Sequence, residues 1–220
     1  MTACTPSLRP APVDLAASWT TWMGDAARGG YRRATVPADT PEVIWEATVG
    51  SGVRSAPVLT EQAVVVASTN RQLYVFNRQD GSLFWQRSVG FVPGHPLVVG
   101  DRIYVATEGA REGEVRRLRF RDGATEWRRR LGSVSAPIGL ADGELYGVTD
   151  RGIAFALRPY DGSEVWRALL PGRGVALGPV VAGDRVFVIS GADTLYSLDR
   201  RTGQRVGAAP LSGRPAGLPA

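Results

Sequence analysis

Few side chains in this 220-residue sequence could do chemistry, and their types and spacing build no catalytic set. His95 is the only histidine and Cys4 the only cysteine. A lone His without Cys or a second His is a poor start for a metal centre, and a single Cys excludes an internal disulfide. Ser51, Ser55, Ser133 and Ser135 lie on similar loops with no evident His/Asp partners, and no GxSxG, P-loop or HExxH occurs. Asp101, Asp142 and Asp184 recur at matching positions, where backbone hydrogen bonding in a turn explains an Asp before a cation is needed. His95 is read as an exposed turn residue. No catalytic, cofactor-binding or metal residue is assigned.

Charge is equally uninformative about chemistry. The net charge is +5, and all 26 basic residues are Arg. The 21 acidic residues are mixed through the chain, whereas nucleic-acid binding asks for a basic stripe. The dense patch of Arg116, Arg117, Arg119, Arg121 and Arg128 to Arg130 reads as a solvated strand face, so no nucleic-acid partner is expected. No apolar run is long enough for a transmembrane helix. With 44% hydrophobic and 21% charged residues, the chain reads as globular.

What must position these residues is a repeat. "LYVFNRQDGSLFW" (73–85) returns as "VRRLRFRDGATEW" (115–127) and "AFALRPYDGSEVW" (154–166). A fourth copy, "LYSLDRRTGQRVG" (195–207), has Gly207 in place of Trp. Gly81, Gly123, Gly162 and Gly203 stand 42, 39 and 41 residues apart, a period that points to stacked units. Each unit divides into four short runs rich in Val, Leu, Tyr and Phe, bounded by turn residues. The Asp-Gly pairs ending at Gly81, Gly123 and Gly162 mark tight turns, because Gly tolerates positive φ. Four antiparallel strands per unit, repeated, predict an all-β propeller of about four blades with no helix required. A lone blade exposes apolar residues on both faces and must lean on neighbours. Trp85, Trp127 and Trp166, each at one offset from a turn, are predicted to plug the gap to the adjacent blade.

The thirteen-residue pattern resembles the tryptophan-docking motif of pyrroloquinoline-quinone-like (PQQ-like) propellers, roughly L-Y-A-L-D-x-x-T-G-x-x-x-W. The resemblance covers about Trp19 to Gly213, including the lead-in "WTTWMGDAARGGY". Gly81, Gly123 and Gly162 match the turn Gly, and Trp85, Trp127 and Trp166 the docking Trp. Asp199 and Thr202 match the motif's Asp and Thr. The first three copies carry Asn77, Arg119 and Arg158 at the Asp position and Asp80, Asp122 and Asp161 at the Thr position, departures that bear on the docking hydrogen bonds. One branch of this superfamily, the quinoprotein dehydrogenases, implies a quinone and calcium in a central funnel. This chain has no Cys pair and no evident calcium set. The other branch, the BamB-like lipoproteins, implies a cofactor-free protein-binding scaffold in outer-membrane β-barrel assembly, and it fits better. Cys4 in "MTACTPS" resembles the cleavage end of a lipoprotein signal, making it the lipidation candidate and the one route to a membrane. If the natural start carries such a signal, the resemblance implies the periplasmic face of the outer membrane. A quinone-dependent oxidoreductase fragment, with PQQ and calcium, is the alternative.

Domain organisation follows. A tail spans 1–18 and propeller repeats span 19–213, with blades near 53–90, 92–132, 134–172 and 175–211. Residues 214–220 begin a further repeat or a tail. Val43 to Val49, carrying Trp45, reads as an orphan outer strand. In a closed four-bladed ring it would join the blade of Leu177 to Leu198, with Trp45 replacing the Trp missing at Gly207. In the favoured reading the chain is part of a seven- or eight-bladed propeller, and its open blade edges are candidates for self-association.

Overall fold

The computed structural model describes residues 40–109, 113–172, 177–191 and 193–212. The tail with Cys4 and residues 214–220 lie outside them. The described residues contain sixteen strands and no helix. The first sheet is β1 (Val58–Leu59), β2 (Ala63–Ala67), β3 (Gln72–Asn77) and β4 (Leu83–Ser88). The second is β5 (Leu97–Val99), β6 (Arg102–Ala106), β7 (Glu114–Arg119) and β8 (Thr125–Arg130). The third is β9 (Gly139–Ala141), β10 (Glu144–Val148), β11 (Ile153–Leu157) and β12 (Glu164–Leu169). The fourth is β13 (Leu177–Ala182), β14 (Arg185–Ser190), β15 (Thr194–Asp199) and β16 (Arg205–Pro210). Each sheet is a four-stranded antiparallel meander in chain order, the expected blade.

Burial follows from stacking. β3 reads QLYVFN and is buried on both faces over its central four residues, because a neighbour covers each side. Outer strands such as β4 are polar and largely exposed, with Trp85 the buried exception. Apolar residues gather into three cores, each shared by consecutive sheets. Val75 and Trp85 meet Val105 and Leu118. Tyr104 and Val115 meet Leu145 and Phe155. Tyr146 and Trp166 meet Val188 and Tyr196. No such core joins the fourth sheet to the first among the described residues, which form an open arc.

The closed four-bladed alternative does not match the strand pairing. Residues 43–49 form no strand. The fourth sheet supplies its own outer strand, β16, paired with β15 from Thr194↔Pro210 to Leu198↔Arg205. Trp45 sits over Gly81 of the first sheet without belonging to an outer strand. Val43 and Ile44 beside it are exposed.

One repeated irregularity carried no sequence signal. The third and fourth strands of every sheet slip register at the same place: between Val75 and Phe76, Arg117 and Leu118, Ala156 and Leu157, and Ser197 and Leu198. Each slip follows the residue opposite Trp85, Trp127, Trp166 or Gly207. A bulge there bends the outer strand next to its Trp.

Candidate functional site

The repeated element is a docking joint, and its geometry builds from the tight turn. Gly81, Gly123, Gly162 and Gly203 have φ of 70°, 69°, 67° and 69°, a left-handed conformation that side chains disfavour. Each donates its N–H four residues back, to Asn77, Arg119, Arg158 and Asp199 in turn. The preceding unit's indole then lies on the Gly. A Cβ on Gly81 would stand 2.6 Å from the Trp45 ring. On Gly123 or Gly162 it would stand 2.7 Å from Trp85 or Trp127, and on Gly203 it would collide with Trp166. Only Gly allows this approach.

Each indole also donates its Nε1–H to a backbone carbonyl of the turn it covers. Trp45 bonds Arg78 O at 2.8 Å, Trp85 bonds Phe120 O at 2.9 Å, Trp127 bonds Pro159 O at 3.0 Å and Trp166 bonds Arg200 O at 2.7 Å. Each indole N–H thus finds its acceptor. Trp45 makes the same joint as the other three.

The departures from the motif are chemically compensated. Asp199 Oδ1 accepts the Thr202 hydroxyl and the Thr202 and Arg201 N–H groups. In the other units the Asp at the Thr position does this work from the far side of the turn. Asp80 accepts the Ser82 N–H and hydroxyl, Asp161 accepts the Ser163 N–H, and Asp122 accepts the Ala124 N–H. Arg119, at the Asp position, forks onto Asp122 at 3.0 and 2.8 Å, so the unit keeps its clasp with donor and acceptor exchanged. These bonds favour the charged carboxylates. The Ser82 and Ser163 hydroxyls hold Asp80 and Asp161 below the ordinary Asp range, the Arg119 guanidinium does so for Asp122, and the Thr202 hydroxyl for Asp199.

The candidates for chemistry are engaged elsewhere. His95 is half-buried rather than an exposed turn residue: its Nδ1 accepts the Ala56 N–H at 2.9 Å, tying the second unit to the first. Ser51 bonds Thr69, Ser133 accepts the Gly109 N–H, and Ser135 bonds Asp150. The Ser55 hydroxyl is buried without a hydrogen-bond partner among the described residues. Asp142 takes a left-handed φ of 46° in its turn and pairs with Arg200. Asp101 and Asp184 flank Gly100 and Gly183, whose φ values are 56° and 58°, and each pairs with the adjoining Arg. Among the described residues no three His, Cys, Asp or Glu side chains converge to hold an ion.

The Arg patch, read from sequence as one face, divides between two. Arg117 and Arg129 turn toward the third unit: Arg117 sits 5.5 Å from the Tyr160 ring centroid, and Arg129 bonds Gly162 O at 2.8 Å. Arg116, Arg128 and Arg130 turn toward the first, where a cleft opens between the outer parts of the first two sheets.

Comparisons with known proteins agree with this architecture. The sequence model of the PQQ-like repeat family described as outer membrane protein assembly factor BamB matches residues 26–133 and 111–208. The chain is 26% identical over 172 residues to the outer membrane protein assembly factor BamB of Legionella pneumophila, covering 72% of this chain and 44% of that protein. The structure of BamB from Moraxella catarrhalis superposes with a TM-score of 0.64 at 16% identity, covering 76% of this chain and 54% of that one. The quinohemoprotein alcohol dehydrogenase of Comamonas testosteroni superposes with a TM-score of 0.70 at 15% identity, covering 93% of this chain and 42% of that one. At such identities the two structures show the fold alone. The chain spans about half the length of the curated relatives it matches. It belongs to the BamB family of PQQ-like repeat propellers.

Proposed function

We propose, with that family as the premise, that this chain is a non-enzymatic, protein-binding propeller scaffold of the bacterial envelope that works in outer membrane protein assembly. The observation that carries the reading is the fate of its polar side chains. His95, Ser51, Ser133, Ser135 and the turn aspartates are taken up by bonds that hold strands, turns and blades, and the described residues offer no converging ligand set. The loop surface at the blade ends is the surface proposed to meet a partner. The periplasmic face of the outer membrane, reached through a lipid on Cys4, is the location proposed with it. Among the described residues no indole covers the face of the fourth sheet that carries Phe187, Ser197 and Gly207, and we extend the proposal to pairing of that face with a second copy.

The test is genetic and spectroscopic. Produced with a lipoprotein leader in a bacterium deleted for its own BamB, the chain is expected to raise outer-membrane porin content, and Cys4→Ala to abolish the effect. With PQQ and calcium, the purified protein is expected to show neither a bound-quinone absorption band nor dye-linked alcohol oxidation. A bound quinone with turnover would replace the scaffold reading by the dehydrogenase one, to which the superposition on the Comamonas enzyme gives the fold.

A further inference from the structure

The cleft between the first two sheets has a volume of about 260 Å³ and is lined by Arg71, Arg116, Arg128 and Arg130, with Glu108 and Glu114 as its acids. Arg116 is already paired with Glu114. Arg71, Arg128 and Arg130 form no ion pair among the described residues, Glu114 stands opposite Arg130 across β7 and β8, and four Arg against two Glu leave the cleft net positive. Two features run against stability. Arg128 stands directly opposite Arg116 across β7 and β8, a like-charge pair that repels. Arg71 holds a left-handed φ of 67°. Its carbonyl accepts the Val89 N–H just as that of Gly152, φ 77°, accepts the Leu170 N–H in the third sheet. A long basic side chain therefore occupies a position where the second and third units have Gly113 and Gly152 and the fourth has Asp193, and it lines the cleft.

We infer that this cleft is a binding site for an acidic, extended peptide segment that lies along the free edge of β8. β8 is the outermost strand of its sheet, with one edge unpaired among the described residues. Arg128 and Arg130 are two residues apart on one face of it, a spacing of roughly 6.5 Å. A strand added to that edge presents alternate side chains to the same face, so two carboxylates at i and i+2 meet the two guanidiniums while main-chain bonds extend the sheet. A free phosphate matches the charge but not the two-residue spacing. The inference takes the class of partner from the protein-binding reading above. The peptide assay reads the cleft alone, so failure of porin rescue leaves it standing.

The test is fluorescence anisotropy with a labelled peptide of alternating Glu and Thr, against one of alternating Gln and Thr, using the full chain. The acidic peptide is expected to bind about tenfold or more tightly than the amide peptide, and to weaken as salt rises. Arg128→Gln with Arg130→Gln is expected to erase the difference. Arg205→Gln, an exposed Arg on the edge strand β16, is expected to leave it intact. Equal binding of the two peptides, no binding of either, or equal loss in the Arg205 variant overturns the inference. So does binding of inorganic phosphate or phosphatidylglycerol vesicles, sensitive to the Arg128/Arg130 variant, without binding of the acidic peptide.

Discussion

The joint between Trp85 and Gly123 yields a double-mutant prediction with a definite sign. Gly123→Ala meets two obstacles. Its φ of 69° disfavours any side chain, at a cost of about 1–2 kcal/mol. Its methyl would also lie 2.7 Å from the Trp85 ring, where overpacking costs about 1–3 kcal/mol more. Trp85→Leu keeps apolar bulk in the core, so it costs less than the about 3–5 kcal/mol of a full truncation to Ala. It also vacates the space over Gly123. When Gly123→Ala is made on top of Trp85→Leu, only its backbone cost persists, together with a contact to the flexible Arg87 stem that is common to both backgrounds. The two substitutions together are therefore expected to cost about 1–3 kcal/mol less than the sum of their separate costs. Urea denaturation followed by far-ultraviolet circular dichroism measures all four corners of the cycle. Additivity within about 0.5 kcal/mol would refute the claim that the indole and the turn share one space.

The depressed pKa values of Asp80, Asp122, Asp161 and Asp199 give a pH dependence of known sign. Their stabilisation is fully present above the unfolded Asp value of about 3.9 and is lost as pH falls through the lower folded values, so the urea midpoint should drop on acidification and drop less in Asp199→Asn. Arg71→Gly should stabilise the fold by about 1 kcal/mol in urea denaturation, by relieving the left-handed backbone, while weakening acidic-peptide binding. His95→Ala leaves the Ala56 N–H without its acceptor and should cost about 1–2 kcal/mol by the same measurement, with part of the loss restored in His95→Asn.

The fold was legible because its determinants are local and repeat. The Asp-Gly turns, the short β-branched runs and the recurring Trp fix a blade and require a neighbour. The placement of Trp45 was half legible. Its distance of one period from Trp85 marked it as a docking indole, but nothing in the sequence distinguishes a paired outer strand from an unpaired segment that sets the same indole on Gly81. The register slip opposite each Trp has no side-chain signature. The exchange of Arg119 and Asp122 for Asp199 and Thr202 left the docking bonds open in the sequence, because a single motif does not show that a clasp survives swapping donor and acceptor. The Arg patch reads as one solvated face by composition, although consecutive strand residues point to opposite sides. Only the pairing of β7 with β8 separates the Arg that cover the third sheet from those that line the cleft.

The central claim is that each indole rests on the turn glycine of the next blade. Proton NMR of the full chain tests it through the α-protons of Gly81, Gly123, Gly162 and Gly203. The account predicts that all four are shifted upfield by ring currents and show cross-relaxation to the aromatic protons of Trp45, Trp85, Trp127 and Trp166 respectively. Glycine α-protons at ordinary shifts, with no cross-relaxation to any indole, would contradict it.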